Sequence, residues 1–221
     1  MANLSQIKRE KMLKFLETLK EQHSDDESLI AINQIENELT SKKYGLVWEE
    51  HEEEVDVKMR THIPVFTEVE AKEIVGASES EQYNFLLEGD NLHSLKLLEK
   101  THKGKIDVIY IDPPYNTGNK DFKYDDTFVD KLDSYKNSKW LSFMWSRLKV
   151  AHKLLSSEGI IFISIDDNEL YPLKMICDEI FGEQCFVTNL IWQKKTGASD
   201  AKGIATITEY ILVYVVVDSL N

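Results

Sequence analysis

The chain is 221 residues long, 42% of them apolar, and it carries a formal net charge of −13. This length allows one large domain or a domain with an appendage. The acidic balance argues against non-specific DNA affinity for the chain as a whole, although a locally basic face stays open. Two cysteines, no signal-peptide core and no long apolar stretch indicate a reduced, cytoplasmic protein without a disulfide framework or a transmembrane helix.

The first predicted region, residues 1–48, is a hairpin of two amphipathic helices. Ser24 followed three residues later by Glu27 is a capping-box pattern, which marks the start of the second helix. Such a short hairpin buries little by itself, so it either packs on the main domain or offers a surface to a partner or a second copy. The apolar positions at helical spacing are Met12, Phe15, Leu16 and Leu19, and then Leu29, Ile32, Ile35 and Leu39.

Residues 49–82 are predicted to be an acidic linker followed by a loop. Six of the eight residues from 49 to 56 are acidic, and dense like charge repels itself and extends the chain. A metal cluster is the alternative, but these acids lack the interleaved spacing of a calcium loop. The stretch therefore predicts a solvated connection.

The compact part of the chain is predicted to span residues 83–221. Its apolar runs alternate between strand and helix, which is typical of an α/β protein with a parallel, doubly wound sheet, here only partly present. One helix carries Cys177 on its apolar side, so this thiol is predicted to be buried and inert. The predicted strands are residues 84–88, 107–111, 160–165, 186–192 and 210–217, and the helices between them start near residues 92, 138 and 172.

The chain is organised around residues 105–118, where a strand ends at a stiff polar turn. The strand, residues 107–111, is rich in β-branched and aromatic residues, as in a strand covered on both faces. Pro113 and Pro114 end it because they have no N–H. Asp112 is thus held at the carboxyl end of the strand, where open α/β sheets bind ligands. The polar residues 119–133 predict a mobile active-site loop.

The turn, residues 112–115, is rich in hydrogen-bond acceptors. The Asp112 carboxylate and a proline carbonyl match the two hydrogens of an exocyclic amino group, and accepting both makes the nitrogen a better nucleophile. Tyr115 offers a π-face on which a base flipped from a duplex can stack. A methyl sulfonium is the natural electrophile because it needs no acid, so that proximity and alignment supply most of the catalysis.

This turn resembles the Asp-Pro-Pro-Tyr motif of the N(4)/N(6)-amino DNA methyltransferases. With residues 116–122 and 124–126 added, the sequence is similar to the modification subunit of type III restriction–modification systems. The resemblance implies a site-specific adenine-N6 DNA methyltransferase with a partial doubly wound, Rossmann-like sheet, preceded by the small helical region. Further matching stretches are residues 88–91, 140–144, 162–167, 191–195 and 209–214.

The resemblance also implies roles for residues at matching positions. The catalytic residues are Asp112, Pro113, Pro114 and Tyr115; those beside the methyl donor S-adenosylmethionine are Gly89, Asp90, Asp112 and Asp166; those of the target-base pocket are Tyr115, Asn116, Trp192 and Lys194. Three of these have plainer alternatives. Asp166 could cap the next helix, Trp192 could pack in the core, and Lys194 could be a solvated lysine or a phosphate contact. No metal site is expected.

The sequence departs from the family in its glycines, because its nine glycines include no Gly-x-Gly. In this subclass the glycine-rich donor segment and the target-recognition region come later in the chain. The chain is therefore expected to be the N-terminal portion of a longer protein, weak or inactive alone. The complete protein is expected to bind double-stranded DNA, a second modification subunit and a restriction subunit.

Two other functions stay open at this point. Cytosine-N4 methylation fits the same acceptor pair, and a non-catalytic fragment could bind a partner through its N-terminal hairpin. A nucleotide-hydrolysing motor is disfavoured. Residues 108–112 look like a Walker-B strand, but no Gly-x-x-x-x-Gly-Lys-Ser/Thr phosphate loop is present.

Overall fold

The structure is a computed structural model that describes residues 4–23, 25–40, 48–73, 84–194 and 207–216. The chain divides into two compact units, Met1–Val47 and Trp48–Asn221. No helix in the described ranges is long and apolar enough to cross a membrane.

The first unit consists of two helices, α1 (Leu4–Gln22) and α2 (Asp26–Thr40), that pack against each other. Leu16 and Ile32 are buried, and Lys20 forms an ion pair with Glu36. The predicted cap residue Ser24 lies outside the described residues, whereas the carboxylate of Asp25 accepts a hydrogen bond from the Ser28 N–H at 2.8 Å. Two helices thus lie where the sequence predicts them, but Met12, Phe15 and Ile35 of the predicted apolar faces are exposed.

The second unit alternates helices and strands, as an α/β protein does. The predicted strands at residues 160–165, 186–192 and 210–217 and the three predicted helices all have counterparts within a few residues. Its elements are α3 (Glu54–Met59), α4 (Asn91–His102), β1 (Ile106–Ile111), β2 (Lys123–Tyr124), β3 (Thr127–Phe128), α5 (Lys136–Leu154), β4 (Leu155–Ile165), α6 (Leu170–Phe181), β5 (Phe186–Gln193) and β6 (Thr208–Val215).

The main sheet has the strand order β1-β4-β6-β5 and is mixed, so the expectation of a parallel sheet is only partly correct. β1 and β4 are parallel, but β6 runs antiparallel to both of its neighbours. An apolar strand has the same side-chain pattern in either direction, and for that reason the sequence did not reveal how β6 inserts.

The core lies between this sheet and the helices α5 and α6. β4 buries Ile161, Ile163 and Ile165 completely, and Cys177 of α6 is also fully buried. Burial raises the pKa of the Cys177 thiol, in keeping with the inert thiol that the sequence predicts. The largest fully buried side chains on the helices are Leu92 of α4, Trp140, Met144 and Leu148 of α5, and Leu173 and Ile176 of α6.

Within the described ranges, strand β1 is not covered on both faces, contrary to the sequence prediction. It is an edge strand of the sheet, and Val108 and Tyr110 are 58% and 62% exposed. Ile109 and Ile111 alternate with them and are partly buried. Cover on the second face depends on neighbouring elements, which the composition of the strand itself does not reveal.

Three further predictions within this unit need correction. Residues 84–88 are exposed and form no strand in the structure. The predicted mobile loop contains the hairpin β2–β3 and buries Phe122, Tyr124 and Val129. The acidic stretch is not wholly a solvated linker, because Glu53 is buried at 6% exposure and α3 begins directly after it.

Candidate active site

The Asp-Pro-Pro-Tyr turn begins where β1 ends, and a neighbouring helix holds its shape. The indole Nε1–H of the buried Trp140 donates to the carbonyl oxygen of Pro114 at 2.7 Å. The backbone of Asn116 then takes a left-handed conformation with φ of 57°, which asparagine tolerates better than most residues. The turn is thus fixed on both sides of Tyr115.

Two acceptors of the turn take no part in this support. The carbonyl of Pro114 is occupied by Trp140, whereas no donor among the described residues reaches the carbonyl of Pro113. The carboxylate of Asp112 is exposed, and the hydroxyl of the half-buried Tyr115 donates a hydrogen bond to it, which is one of the causes of the raised pKa of Tyr115. The two acceptors and the ring that the sequence analysis singled out therefore lie together at one surface.

Asp166 lies at the same edge of the sheet as Asp112. β1 and β4 are parallel neighbours, with Ile111 opposite Ile163, so their carboxyl ends meet. The Asp166 carboxylate accepts from the backbone N–H of Asn168 at 2.9 Å. It does not cap α6, which begins later, at Leu170, after the N-cap residue Glu169. The alternative of a helix cap is therefore wrong for Asp166.

Three carboxylates influence the phenol of Tyr115. Burial has the largest effect and raises the pKa of Tyr115 above its usual range, and the charges of Asp112, Glu209 and Asp166 raise it further. The phenol therefore stays protonated in the neutral range. The structure thus brings the predicted residues Asp112, Tyr115 and Asp166 together and adds Glu209 to them.

Trp192 lies on β5, and Lys194 directly follows the strand. Both are next to β6. The Lys194 ammonium donates to Glu209 Oε1 at 2.6 Å, so it is neither a free solvated lysine nor remote from the Tyr115 environment. Trp192 is 61% exposed, which excludes the alternative of core packing. Their predicted contacts with a target base stay predictions.

No hydrogen bond or ion pair between described residues joins Gly89 or Asp90 to the turn. The Asp90 carboxylate accepts from the Leu92 N–H at 2.8 Å and caps α4, and it lies 4.0 Å from Arg147 Nη2. Gly89 has a φ of 141°, and no neighbouring atom lies close to the position of a Cβ. Both are predicted to lie beside a methyl donor, and this remains a prediction.

Asn116 is placed differently from its predicted role in a base pocket. Its side chain is fully buried, and its Nδ2 donates to Glu169 Oε1 at 2.6 Å. The Lys136 ammonium donates to the Asn116 carbonyl oxygen at 2.9 Å. This position favours a structural role beneath the turn over direct contact with a base.

Sequence reasoning missed four residues that shape this site: Trp140, Glu169, Lys136 and Glu209. Trp140 and Glu209 lie inside stretches that match the family, so a signal was present but no role was attached to it. Glu169 and Lys136 give no such signal. Among the described residues, no group of three or more His, Cys, Asp or Glu side chains is arranged to hold a metal ion.

A family model supports what the geometry indicates. The N6/N4 methyltransferase model, described as DNA methylase, matches residues 106–218, slightly more than half of the 221 residues. The chain belongs to this DNA methylase family. The matched segment begins at β1 and includes Asp112, Tyr115, Asp166 and Lys194.

Two relatives and one solved structure place this DNA methylase chain among known proteins. It is 44% identical to the type III restriction-modification enzyme StyLTI Mod subunit of Salmonella typhimurium, over 62% of this chain and 24% of the relative. It is 46% identical to the type II methyltransferase M.KpnI of Klebsiella pneumoniae, over 57% of this chain and 31% of the relative. The chain thus spans about a quarter to a third of the length of these relatives.

The solved structure is the cytosine-N4-specific PvuII DNA methyltransferase, with a TM-score of 0.40 and 15% identity over 55% of this chain and 46% of that chain. The resemblance to type III modification subunits noted in the sequence is confirmed by the relatives.

Proposed function

We propose that this DNA methylase chain carries the acceptor side of the active site of an adenine-N6 DNA methyltransferase, as part of a type III modification subunit. The observation that carries the proposal is the pair of acceptors at the end of β1, the exposed Asp112 carboxylate beside Tyr115 and the Pro113 carbonyl, which no donor among the described residues reaches. Trp140 supports the assignment, because it occupies the adjacent Pro114 carbonyl and thereby fixes which carbonyl stays open.

The chemistry follows from these two acceptors. Asp112 and the Pro113 carbonyl would accept the two N–H groups of the adenine amine, which turns the nitrogen lone pair toward the electrophile. The carboxylate would also stabilise the positive charge that develops on this nitrogen. The ring of Tyr115 would stack on the flipped base. When bound, S-adenosylmethionine supplies the electrophilic methyl group.

The described residues fit one side of a site for this donor. S-adenosylmethionine has hydroxyl and ammonium groups that need acceptors, and the carboxylates of Asp112 and Asp166 lie at the ends of adjacent parallel strands. We infer that these two residues contact the donor. Gly89 and Asp90 belong to the same proposal only through the family resemblance, since the described contacts do not connect them to Asp112.

The proposed setting of the complete protein is the cytoplasm, with double-stranded DNA as substrate and a second modification subunit and a restriction subunit as partners. Similarity to a Mod subunit supports this setting. The net charge of −13 indicates that the DNA-reading surface of the complete protein is formed mainly by other residues.

The test is methyl transfer to DNA by a chimera that joins residues 1–221 to the remaining part of the Salmonella typhimurium relative. Asp112→Ala is expected to lower the rate by about 100-fold or more. Asp107→Asn on the same strand is a matched control and should retain the rate, because asparagine can still accept the Ser156 hydroxyl hydrogen that Asp107 accepts at 3.0 Å. Full activity of Asp112→Ala would refute the catalytic assignment.

Two further measurements separate the alternatives. Analysis of the methylated base distinguishes N6-methyladenine from N4-methylcytosine, since both amines fit the same acceptor pair. Calorimetry of the 221-residue chain with S-adenosylmethionine tests the alternative that the chain is a non-catalytic, partner-binding fragment. That alternative predicts no binding of S-adenosylmethionine. We expect the chain alone to transfer methyl groups weakly, and rapid turnover without the added segment would contradict this.

A further inference from the structure

The pair formed by Asn116 and Glu169 leaves two buried oxygens unexplained. Asn116 is 0% exposed and Glu169 is 1% exposed, and the Asn116 Nδ2 donates to Glu169 Oε1 at 2.6 Å. Neither Asn116 Oδ1 nor Glu169 Oε2 has a hydrogen-bond partner in the part of the chain that the structure describes. Buried polar atoms in native proteins are normally paired, because an unpaired one costs about 1–3 kcal/mol.

One proton accounts for both oxygens. An amide and a protonated carboxylic acid can form a cyclic pair, in which the amide N–H donates to the acid C=O and the acid O–H donates to the amide C=O. The first of these bonds is present in the structure. A proton on Glu169 Oε2 would supply the second, with Asn116 Oδ1 as its acceptor.

We propose that Glu169 is a positioning residue that binds Asn116 in its protonated form, and that this neutral acid–amide pair holds the Asp-Pro-Pro-Tyr turn in place. Asn116 directly follows Tyr115, so a side chain fixed by two hydrogen bonds fixes the exit of the turn. The role of the pair in methyl transfer rests on the proposed function, whereas the pairing itself does not.

The charges around Glu169 agree with a proton at this site. Burial is the largest effect and raises the pKa of Glu169 to about 7. The hydrogen bond from Asn116 and the ammonium of Lys136, at the start of α5, oppose the rise, while the carboxylate of Asp166, in the turn before α6, adds to it. Lys136 is also bonded to the Asn116 carbonyl oxygen, so it belongs to the same support of the turn.

Glutamine at position 169 imitates the protonated acid, because its amide offers one acceptor and N–H donors in the same shape. Infrared difference spectra of wild type minus Glu169→Gln should therefore show a protonated carboxyl C=O band at pH 6. This band should give way to carboxylate bands at pH 8, with a midpoint near the pKa of about 7. Glu179→Gln on the exposed side of α6 is the matched control for a Glu-to-Gln exchange on this helix, and its difference spectrum should lack the band assigned to Glu169.

Thermal unfolding gives an independent readout. The pKa of Glu169 is 4.5 in the unfolded chain and about 7 in the folded chain. The folded state therefore binds more protons in this interval, and the wild type loses stability as pH rises from about 4.5 through about 7. Glu169→Gln lacks this titration, so the Tm of wild type relative to Glu169→Gln should fall between pH 6 and pH 8.

The outcomes separate the pairing from the reaction. Carboxylate bands of Glu169 at pH 6, or a Glu169→Gln chain that is equally destabilised or unfolded at both pH values, would overturn the acid–amide pair. In the chimera, wild type should lose methyl transfer above pH 7 more steeply than Glu169→Gln does. If the chimera shows the protonated carboxyl band of Glu169 but methylates no base, the acid–amide pair is supported and the proposed function is refuted.

Discussion

Two buried glutamates, Glu53 and Glu169, are held in opposite ways. The Arg147 guanidinium donates to both carboxylate oxygens of Glu53, at 2.6 and 3.1 Å. Glu169 Oε1 accepts a hydrogen bond from the Asn116 amide, and no donor among the described residues reaches Glu169 Oε2. Burial raises the pKa of both carboxyls, but at Glu53 a two-pronged guanidinium opposes this rise.

The difference relates to what each glutamate supports. Arg147 also donates to Asn91 Oδ1 at 2.7 Å, so the ion pair with Glu53 ties residues 48–59 and the start of α4 to α5. This pair is a fixed charge that joins parts of the framework. Glu169 instead lies beneath the Asp-Pro-Pro-Tyr turn, where a neutral group supports a site that already contains the carboxylates of Asp112 and Asp166.

The largest expected effect comes from breaking the charged pair. Arg147→Met keeps much of the side-chain volume but leaves Glu53 buried without a partner, so it should lower the free energy of unfolding by about 3–5 kcal/mol in urea titrations. Lys153→Met breaks the more exposed pair with Glu99 and should cost within about 1 kcal/mol. If the two variants were equally stable, Glu53 would not depend on Arg147.

Removing the amide tests the other glutamate. Asn116→Gly keeps the left-handed backbone accessible but deletes the partner of Glu169, and should cost about 1–3 kcal/mol in the same titrations. Asn116→Ala should cost about 1 kcal/mol more, because a β-carbon is disfavoured at a φ of 57°. Equal costs for glycine and alanine would show that the backbone conformation adds no constraint at this position.

The sequence predicted the elements of the second unit better than their arrangement. The helices α4, α5 and α6 and the strands β4, β5 and β6 follow from apolar runs that end at glycine, proline or polar clusters. The direction of β6 and the exposed face of β1 depend on neighbours in the sheet. The pairing of Glu53 with Arg147, 94 residues away, cannot be read from a stretch in which six of eight residues are acidic.

The candidate site also has features that the local sequence predicts and others that depend on distant contacts. The two acceptors follow from local chemistry, since two consecutive prolines have no N–H and Asp112 precedes them. The supports of the turn come from far along the chain: Glu169 is 53 residues from Asn116, and Trp140 is 26 residues from Pro114. No periodicity or spacing rule predicts such contacts, because they arise only when α5 and the β4–α6 turn meet the turn that follows β1.

Trp140→Phe tests the second support of the turn, which does not depend on a titrating group. It keeps a buried aromatic ring but removes the N–H that donates to Pro114, and should cost about 1 kcal/mol of stability. Methyl transfer in the chimera should fall by about 10-fold, because the turn is less well aligned. Unlike Glu169→Gln, this variant should show no change in the shape of the pH profile.

Trp145→Phe on the same helix is the control for this variant, since its ring packs edge-on against Trp48 rather than against the turn. It should leave methyl transfer unchanged. A loss of rate that is as large as that of Trp140→Phe would mean that α5 packing in general, and not the bond to Pro114, sets the rate.

The smallest effect is expected for a third glutamate, Glu209, whose partner Lys194 keeps contact with solvent. Their side chains are 24% and 34% exposed, so Lys194→Gln should change the free energy of unfolding by less than about 1 kcal/mol. High salt should shrink the difference further, because it screens exposed charges. Lys58→Gln, which breaks the still more exposed pair with Glu54, is the matched control. If Lys194→Gln lowered the free energy of unfolding by more than about 3 kcal/mol and salt did not reduce this loss, Glu209 would resemble Glu53. Both would then be charges that the fold cannot leave unpaired.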